Sequence, residues 1–171
     1  MLTKGTSVFF QHPETGEIVR LKRCTAFNPG GSPRSQVETT DLEELDAMQY
    51  EAGLAQPGQG TMSINADPGE ESHRLLQELA EGSATPTMNW YVGFSDGTPD
   101  IAPTITGSGE SAEVTIPTTR TFYHCRAYVA DFPFDFQLNA NVTVSGSLQR
   151  SGRGTWHYKN GDSNGSGGGE E

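Results

Sequence analysis

Apolar and polar residues alternate along much of this chain, and that period of two predicts strands. Residues 6–11 and 17–24 read as two strands. His12-Pro13-Glu14-Thr15-Gly16 supplies the turn between them. Met62, Ile64 and Ala66 alternate with Ser63 and Asn65 in a third strand. Met88, Trp90, Val92 and Phe94 share one face of a fourth, and Ala112, Val114 and Ile116 form a shorter one. Tyr123, Cys125, Ala127 and Val129 then lie opposite Phe122, His124, Arg126 and Tyr128. The longest alternation runs from Phe132 through Phe134, Phe136 and Leu138 to Leu148. It exceeds the roughly 3–10 residues of an ordinary strand. It predicts one tall strand, or a hairpin whose turn preserves the phase. Its polar face holds Gln137, Asn139, Asn141, Thr143 and Ser145, with Asp135 its one charge.

Only one segment has helical spacing. Asp67 is a good N-cap, Pro68 suits the first helical position, and Glu70 completes a capping-box arrangement. Leu75, Leu76 and Leu79 make the buried stripe, and Gly82 marks the stop.

The pattern breaks at Asn28-Pro29-Gly30-Gly31-Ser32-Pro33. From there to residue 58 no period persists. This predicts one long excursion, with a helical turn around 42–48. Loops of that length in a compact domain are usually functional or disordered. A second change follows Arg150. The reading is therefore a β domain over 1–150 and a polar arm with a Gly/Ser-rich, unstructured tail over 151–171. Trp156 and Tyr158 are expected to pack on a neighbour.

Composition agrees with a turn-rich, mainly β protein: 33% of residues are hydrophobic, against 21 glycines and 10 prolines. No apolar run is long enough to span a membrane, and residues 1–10 lack a secretory h-region. Cytoplasmic synthesis and two reduced thiols, Cys24 and Cys125, are expected. The charge is unevenly spread. Residues 1–34 carry +3, 35–73 carry −9 and 74–171 carry −5, which add to the net −11. Such a chain repels phosphate, which disfavours ordinary nucleic-acid binding.

No catalytic chemistry emerges. The four histidines are scattered without metal-ligand spacing. His124 and Cys125 are adjacent in a strand, so their side chains diverge. There is no nucleophile elbow or phosphate loop. No enzyme activity, metal or other cofactor is expected.

Two blocks carry a resemblance. The first runs from Gln36-Val37-Glu38-Thr39-Thr40-Asp41-Leu42 through Pro57-Gly58 and Thr61–Asn65 into the helix. The second is Tyr123–Val129, then Phe134-Asp135-Phe136 and Asn141 through Leu148. In this order they resemble the major tail tube proteins of lambda-like siphophages. The resemblance implies a β-sandwich or partial barrel with one flanking helix. It implies hexameric rings that stack into a tube, whose lumen conducts DNA as non-sticking cargo. The partners it implies are further copies of the chain and the tape measure, tail tip and terminator proteins, with no membrane. The location it implies is the virion tail, assembled in the host bacterial cytoplasm. The family's loop that reaches an adjacent ring maps to residues 28–59. Candidate contact residues are thus Arg34, Glu38, Asp41, Leu42, Glu43, Glu44, Leu45, Asp46 and Met48. The acidic loop is expected to meet Arg20, Lys22, Arg23 and Arg34 of a neighbour. Gln137, Asn139, Asn141, Thr143 and Ser145 are candidates for a channel wall. Rival readings are a tail terminator, a secretion-system tube ring, or a monomeric β-sandwich binding module with Tyr91, Tyr128 and Trp156 as its platform.

Overall fold

A computed structural model describes residues 3–40 and 46–160, and the backbone of Ser163–Asn164. In chain order the elements are β1 (Ser7–Gln11), β2 (Ile18–Arg20), β3 (Cys24–Asn28), β4 (Arg34–Glu38), β5 (Tyr50–Ala55) and β6 (Gln59–Asn65). Then come α1 (Glu71–Glu81), β7 (Met88–Gly93), β8 (Thr104–Thr106), β9 (Glu113–Thr115), β10 (Phe122–Asp131), β11 (Phe134–Asp135), β12 (Thr143–His157) and β13 (Ser163–Asn164). The main sheet has the order β2-β1-β7-β10-β12-β6-β3, and β11 and β13 also pair with β12. Every pairing is antiparallel.

The edge strands β2 and β3 are neighbours in sequence, joined only by residues 21–23. The sheet must therefore curl until its ends approach each other. Phe27 on β3 accordingly stacks on Trp90 on β7, ring centroids 5.7 Å apart. The curled interior holds Val8, Phe10, Met62, Ile64, Met88, Trp90, Cys125, Ala127, Val129, Val144 and Leu148, which are the inward positions of the alternating strands. Leu76 enters this core from α1, with Leu75 and Leu79 packed beside it. The expected partial barrel with one flanking helix is the observed architecture.

The helix begins later than its sequence signals predict. Asp67 closes a turn instead, accepting from the Gly69 amide at 2.9 Å. The N-cap position is Glu70, and Gly82 is the C-cap. His73, buried at the helix start, locks this entry. Its Nδ1 accepts from the Asp67 amide (3.1 Å) and its Nε2 donates to the Lys22 carbonyl (2.8 Å), which assigns the neutral tautomer.

A second, smaller core lies on the other face of the sheet. Phe9, Tyr91 and Phe122 are buried there against Val114 and Ile116 beside the β8–β9 hairpin. The sheet centre is thus covered on both sides. Tyr91, which the rival binding-module reading placed on an exposed platform, is 3% exposed. Burial pushes its phenol up to about 12. Cys24 and Cys125 are free thiols, raised to about 11 by burial.

Two expectations of the strand pattern need correction, and one open alternative is resolved. The excursion 28–58 is not irregular: β4 and β5 pair within it as a hairpin, Val37 opposite Glu51 and Glu38 opposite Tyr50. The helical turn expected at 42–48 lies largely outside the described residues. Of the two forms expected for the Phe132–Leu148 alternation, a tall strand or a hairpin, the hairpin is the one observed. Phe134 pairs with Val144 and Asp135 with Thr143, and the chain turns between them. Finally, no element ends at residue 150, because β12 continues to His157 and pairs with β10 at Arg150–Ser151 and Thr155–His157, on either side of an irregularity at residues 152–154. Trp156 therefore packs within its own subunit, 5.2 Å from Phe94 and 5.0 Å from Tyr123. Gly154 makes this arrangement possible, since a Cβ there would meet the Tyr123 hydroxyl at 1.9 Å.

Candidate subunit-contact surfaces

Three surface features have chemistry that the monomer does not use. The first is the β4–β5 arm. Its base is fixed to the body by backbone: the Gln56 amide donates to the Pro33 carbonyl (2.7 Å) and the Gly58 amide to the Gly31 carbonyl (2.9 Å). Arg150 Nη1 donates to the Gly30 carbonyl at 2.8 Å. Gly30 turns the chain at positive φ (78°), where a Cβ would also meet the Gln59 carbonyl at 2.5 Å.

Beyond that base the arm is uncovered. Val37, Met48, Tyr50 and Leu54 are all exposed, Leu54 at 87%. Four large apolar side chains on one projecting hairpin mark a surface made to be covered. Glu38 and Asp46 are exposed beside them, and so is Arg34 at the base. Asp41, Leu42, Glu43, Glu44 and Leu45 lie outside the described residues. Val37 and Tyr50 did not figure among the expected contact residues. The signal for Tyr50 was the spacing Tyr50, Ala52, Leu54, a short strand period inside an otherwise polar stretch.

The basic residues expected to receive the acidic loop are partly engaged. Arg20 pairs with Asp100 in the same subunit, and Arg23 with Asp67 at 2.7 Å. Among the described residues Lys22 and Arg34 form no ion pair.

The second feature is a polar face. On the side of β12 and β6 away from the main core, Thr143 pairs with Asn65, Ser145 with Ser63 and Ser147 with Thr61. These six residues carry hydroxyls and amides and no charge. The Thr25 hydroxyl extends the face, donating to the Ser63 carbonyl at 3.0 Å. Only Thr143 and Ser145 of the five expected wall residues belong to it. Gln137, Asn139 and Asn141 sit in the β11–β12 turn, with Asn139 at φ 60°. The cross-strand partners Thr61, Ser63 and Asn65 were missed, although their alternation was plain.

The third feature is a pair of apolar surfaces at the two ends of β12. At one end, exposure rises steadily along the β11–β12 hairpin: Phe132 5%, Phe134 40%, Phe136 77% and Leu138 94%. At the other end a groove of about 780 Å³ opens between the arm's base and the ends of β7, β10 and β12. Phe27, Phe94, Tyr123 and Trp156 line it, together with Arg34, Arg150 and Arg153.

Titratable groups elsewhere act structurally. His124 stacks on Tyr91 (4.8 Å) and contacts Asn89 Oδ1 at 3.1 Å. Burial, with His157 and Arg126 nearby, lowers its pKa to about 4. Burial alone would raise the Asp96 carboxyl, but hydrogen bonds from Thr121 and the charge of Lys159 hold it below its ordinary value. Among the described residues no three His, Cys, Asp or Glu side chains form a metal-binding group.

A rolled β sheet with an uncovered arm and unpaired apolar ends defines a self-assembling structural subunit. Comparison with known proteins agrees. The family model for phage tail tube proteins, TTP, lambda-like, matches residues 1–160. Structural protein 3 of Pseudomonas phage PAJU2 is 36% identical over 149 residues, covering 87% of this chain and 88% of that protein. The chain belongs to the lambda-like phage tail tube family. It is a structural protein of the virion tail, not an enzyme, and it assembles with itself and with other tail proteins. The fold recurs in the tail tube of SPP1, with TM-score 0.63 at 12% identity over 95% of this chain and 80% of that one. It also recurs in the sheath/tube terminator of the extracellular contractile injection system PVC, with TM-score 0.61 at 10% identity over 91% of this chain and 95% of that one.

Proposed function

We propose that six copies close into a ring, that rings stack into the tail tube of a siphophage, and that the lumen conducts DNA during ejection. The observation that carries this reading is the arm, whose apolar side chains are left for another subunit to cover. The arm reaches an adjacent ring, and Arg34, Glu38, Asp41–Leu45, Asp46 and Met48 contribute to that contact. A head-to-tail interface of this kind propagates when the operation relating two copies does not close. Exposed ion pairs add only about 0–1 kcal/mol each and set register, so apolar burial supplies most of the association energy.

The lumen wall in this proposal is the uncharged face of β6 and β12, with Thr143 and Ser145 at its centre. Hydroxyls and amides without cations do not grip phosphate. A net charge of −11 makes the surroundings repulsive to DNA, so a duplex slides without adhering. Assembly takes place in the host cytoplasm, with a tape measure, a tail tip and a terminator as the further partners.

Deleting residues 38–50 tests the arm. The expected product is a folded monomer that does not polymerise. Tubes of normal length from the deleted chain would refute the arm's role. A terminator shares this fold, and discrete rings that never stack would favour that reading.

A further inference from the structure

We propose that the β11–β12 hairpin is a finger that docks in the aromatic groove at the far end of β12 on a second copy of the chain. The finger is built to leave the subunit. Phe132 anchors it in the core, Phe134 meets Phe132 edge-on at 5.8 Å, and Phe136 stacks on Phe134 at 6.4 Å. The ladder ends at Leu138, which is 94% exposed. Three large apolar side chains facing solvent in a row have no role in the monomer.

The groove matches the finger in apolar character and in charge. Phe94, Tyr123 and Trp156 form its aromatic floor. Its cations are Arg34, Arg150 and Arg153, and among the described residues its lining contains no acid, in a chain whose net charge is −11. Arg150 is 5% exposed and its Nε has no hydrogen-bond partner, nor has the buried Ser32 hydroxyl on the same wall. The finger brings one acid, Asp135, which is exposed and accepts a hydrogen bond from Gln137 at 2.7 Å.

Topology makes the contact head-to-tail. The finger extends past Thr143, while the groove begins at Arg150, seven residues further along β12. At about 3.3 Å per residue the two lie on the order of 23 Å apart and point to opposite ends of the subunit. A finger therefore cannot reach its own groove, and a copy can bind one neighbour at each end.

This contact rests on the tube reading. The test follows tryptophan emission and sedimentation of the full chain with rising concentration. Of the two tryptophans, Trp90 is fully buried and stays constant, so Trp156 reports the groove. Wild type should self-associate with a blue shift. Leu138→Asp should raise the concentration needed for assembly at least tenfold and abolish the shift, with unchanged circular dichroism. Asp135→Arg, which sets a fourth cation against the three arginines, should act in the same direction. Assembly of both variants at the wild-type concentration would overturn the proposal. So would a blue shift lost in the 38–50 deletion but kept in Leu138→Asp, because the arm would then fill the groove. A wild-type chain that stays monomeric even with tail-tip components contradicts this contact and the tube reading together, whereas tubes built by Leu138→Asp contradict this contact alone.

Discussion

The centre of the sheet and its two projecting hairpins treat the same residue types in opposite ways. On β7 and β10, apolar side chains are buried on both faces: Trp90 in the main core, Tyr91 and Phe122 in the second. On the β4–β5 arm and the β11–β12 finger, Tyr50, Leu54, Phe136 and Leu138 are exposed. The first region holds the subunit together. In the proposed assembly the second is covered by other subunits. Mutations should therefore separate cleanly, with stability lost in the centre and assembly lost on the hairpins.

The largest effect is expected at Trp90. Its indole donates to the Ala127 carbonyl at 3.2 Å and packs on Phe10 and Phe27. Trp90→Ala should cost about 3–5 kcal/mol, read by denaturant unfolding. A loss under 1 kcal/mol would mean the centre is not the stabilising region. Gly154→Ala comes next. Its Cβ forces the Tyr123 ring away, and about 1–3 kcal/mol should be lost.

Acid should act on the centre as well. The folded-state pKa of His124 is lowered from 6.5 to about 4, so its stabilising contribution is present above pH 6.5 and is lost as pH falls toward 4. With allowance for its partial exposure this is about 1–3 kcal/mol. His124→Gln should flatten the melting temperature over that window. An unchanged pH profile in the variant would remove His124 as the cause.

The hairpins should show the reverse. Leu54→Ser should leave monomer stability within about 0.5 kcal/mol, as for surface changes generally, while weakening assembly. High salt should slow assembly, since the charged groups of the arm steer encounter. Identical rates at low and high salt would remove that steering.

The same contrast explains how much was legible in the sequence. Inward positions such as Met62, Ile64, Cys125 and Ala127 were readable because one buried face imposes a period of two. Tyr91 was misplaced because β8 and β9 cover the face its alternation assigned to solvent. The arm was read as irregular because neither of its faces is buried in the monomer, so burial imposes no pattern on it. Phe136 and Leu138 behave in the opposite sense. Their period continues through the turn, although no core of the same subunit lies beneath them. In the proposed assembly the partner of these residues is another copy of the chain, and one sequence does not display it.

Electron microscopy of the purified wild-type protein, concentrated and with tail-tip components added, tests the central claim most directly. The account predicts hollow tubes with a regular axial repeat. Discrete rings that never stack, or a subunit that stays monomeric under those conditions, would contradict it.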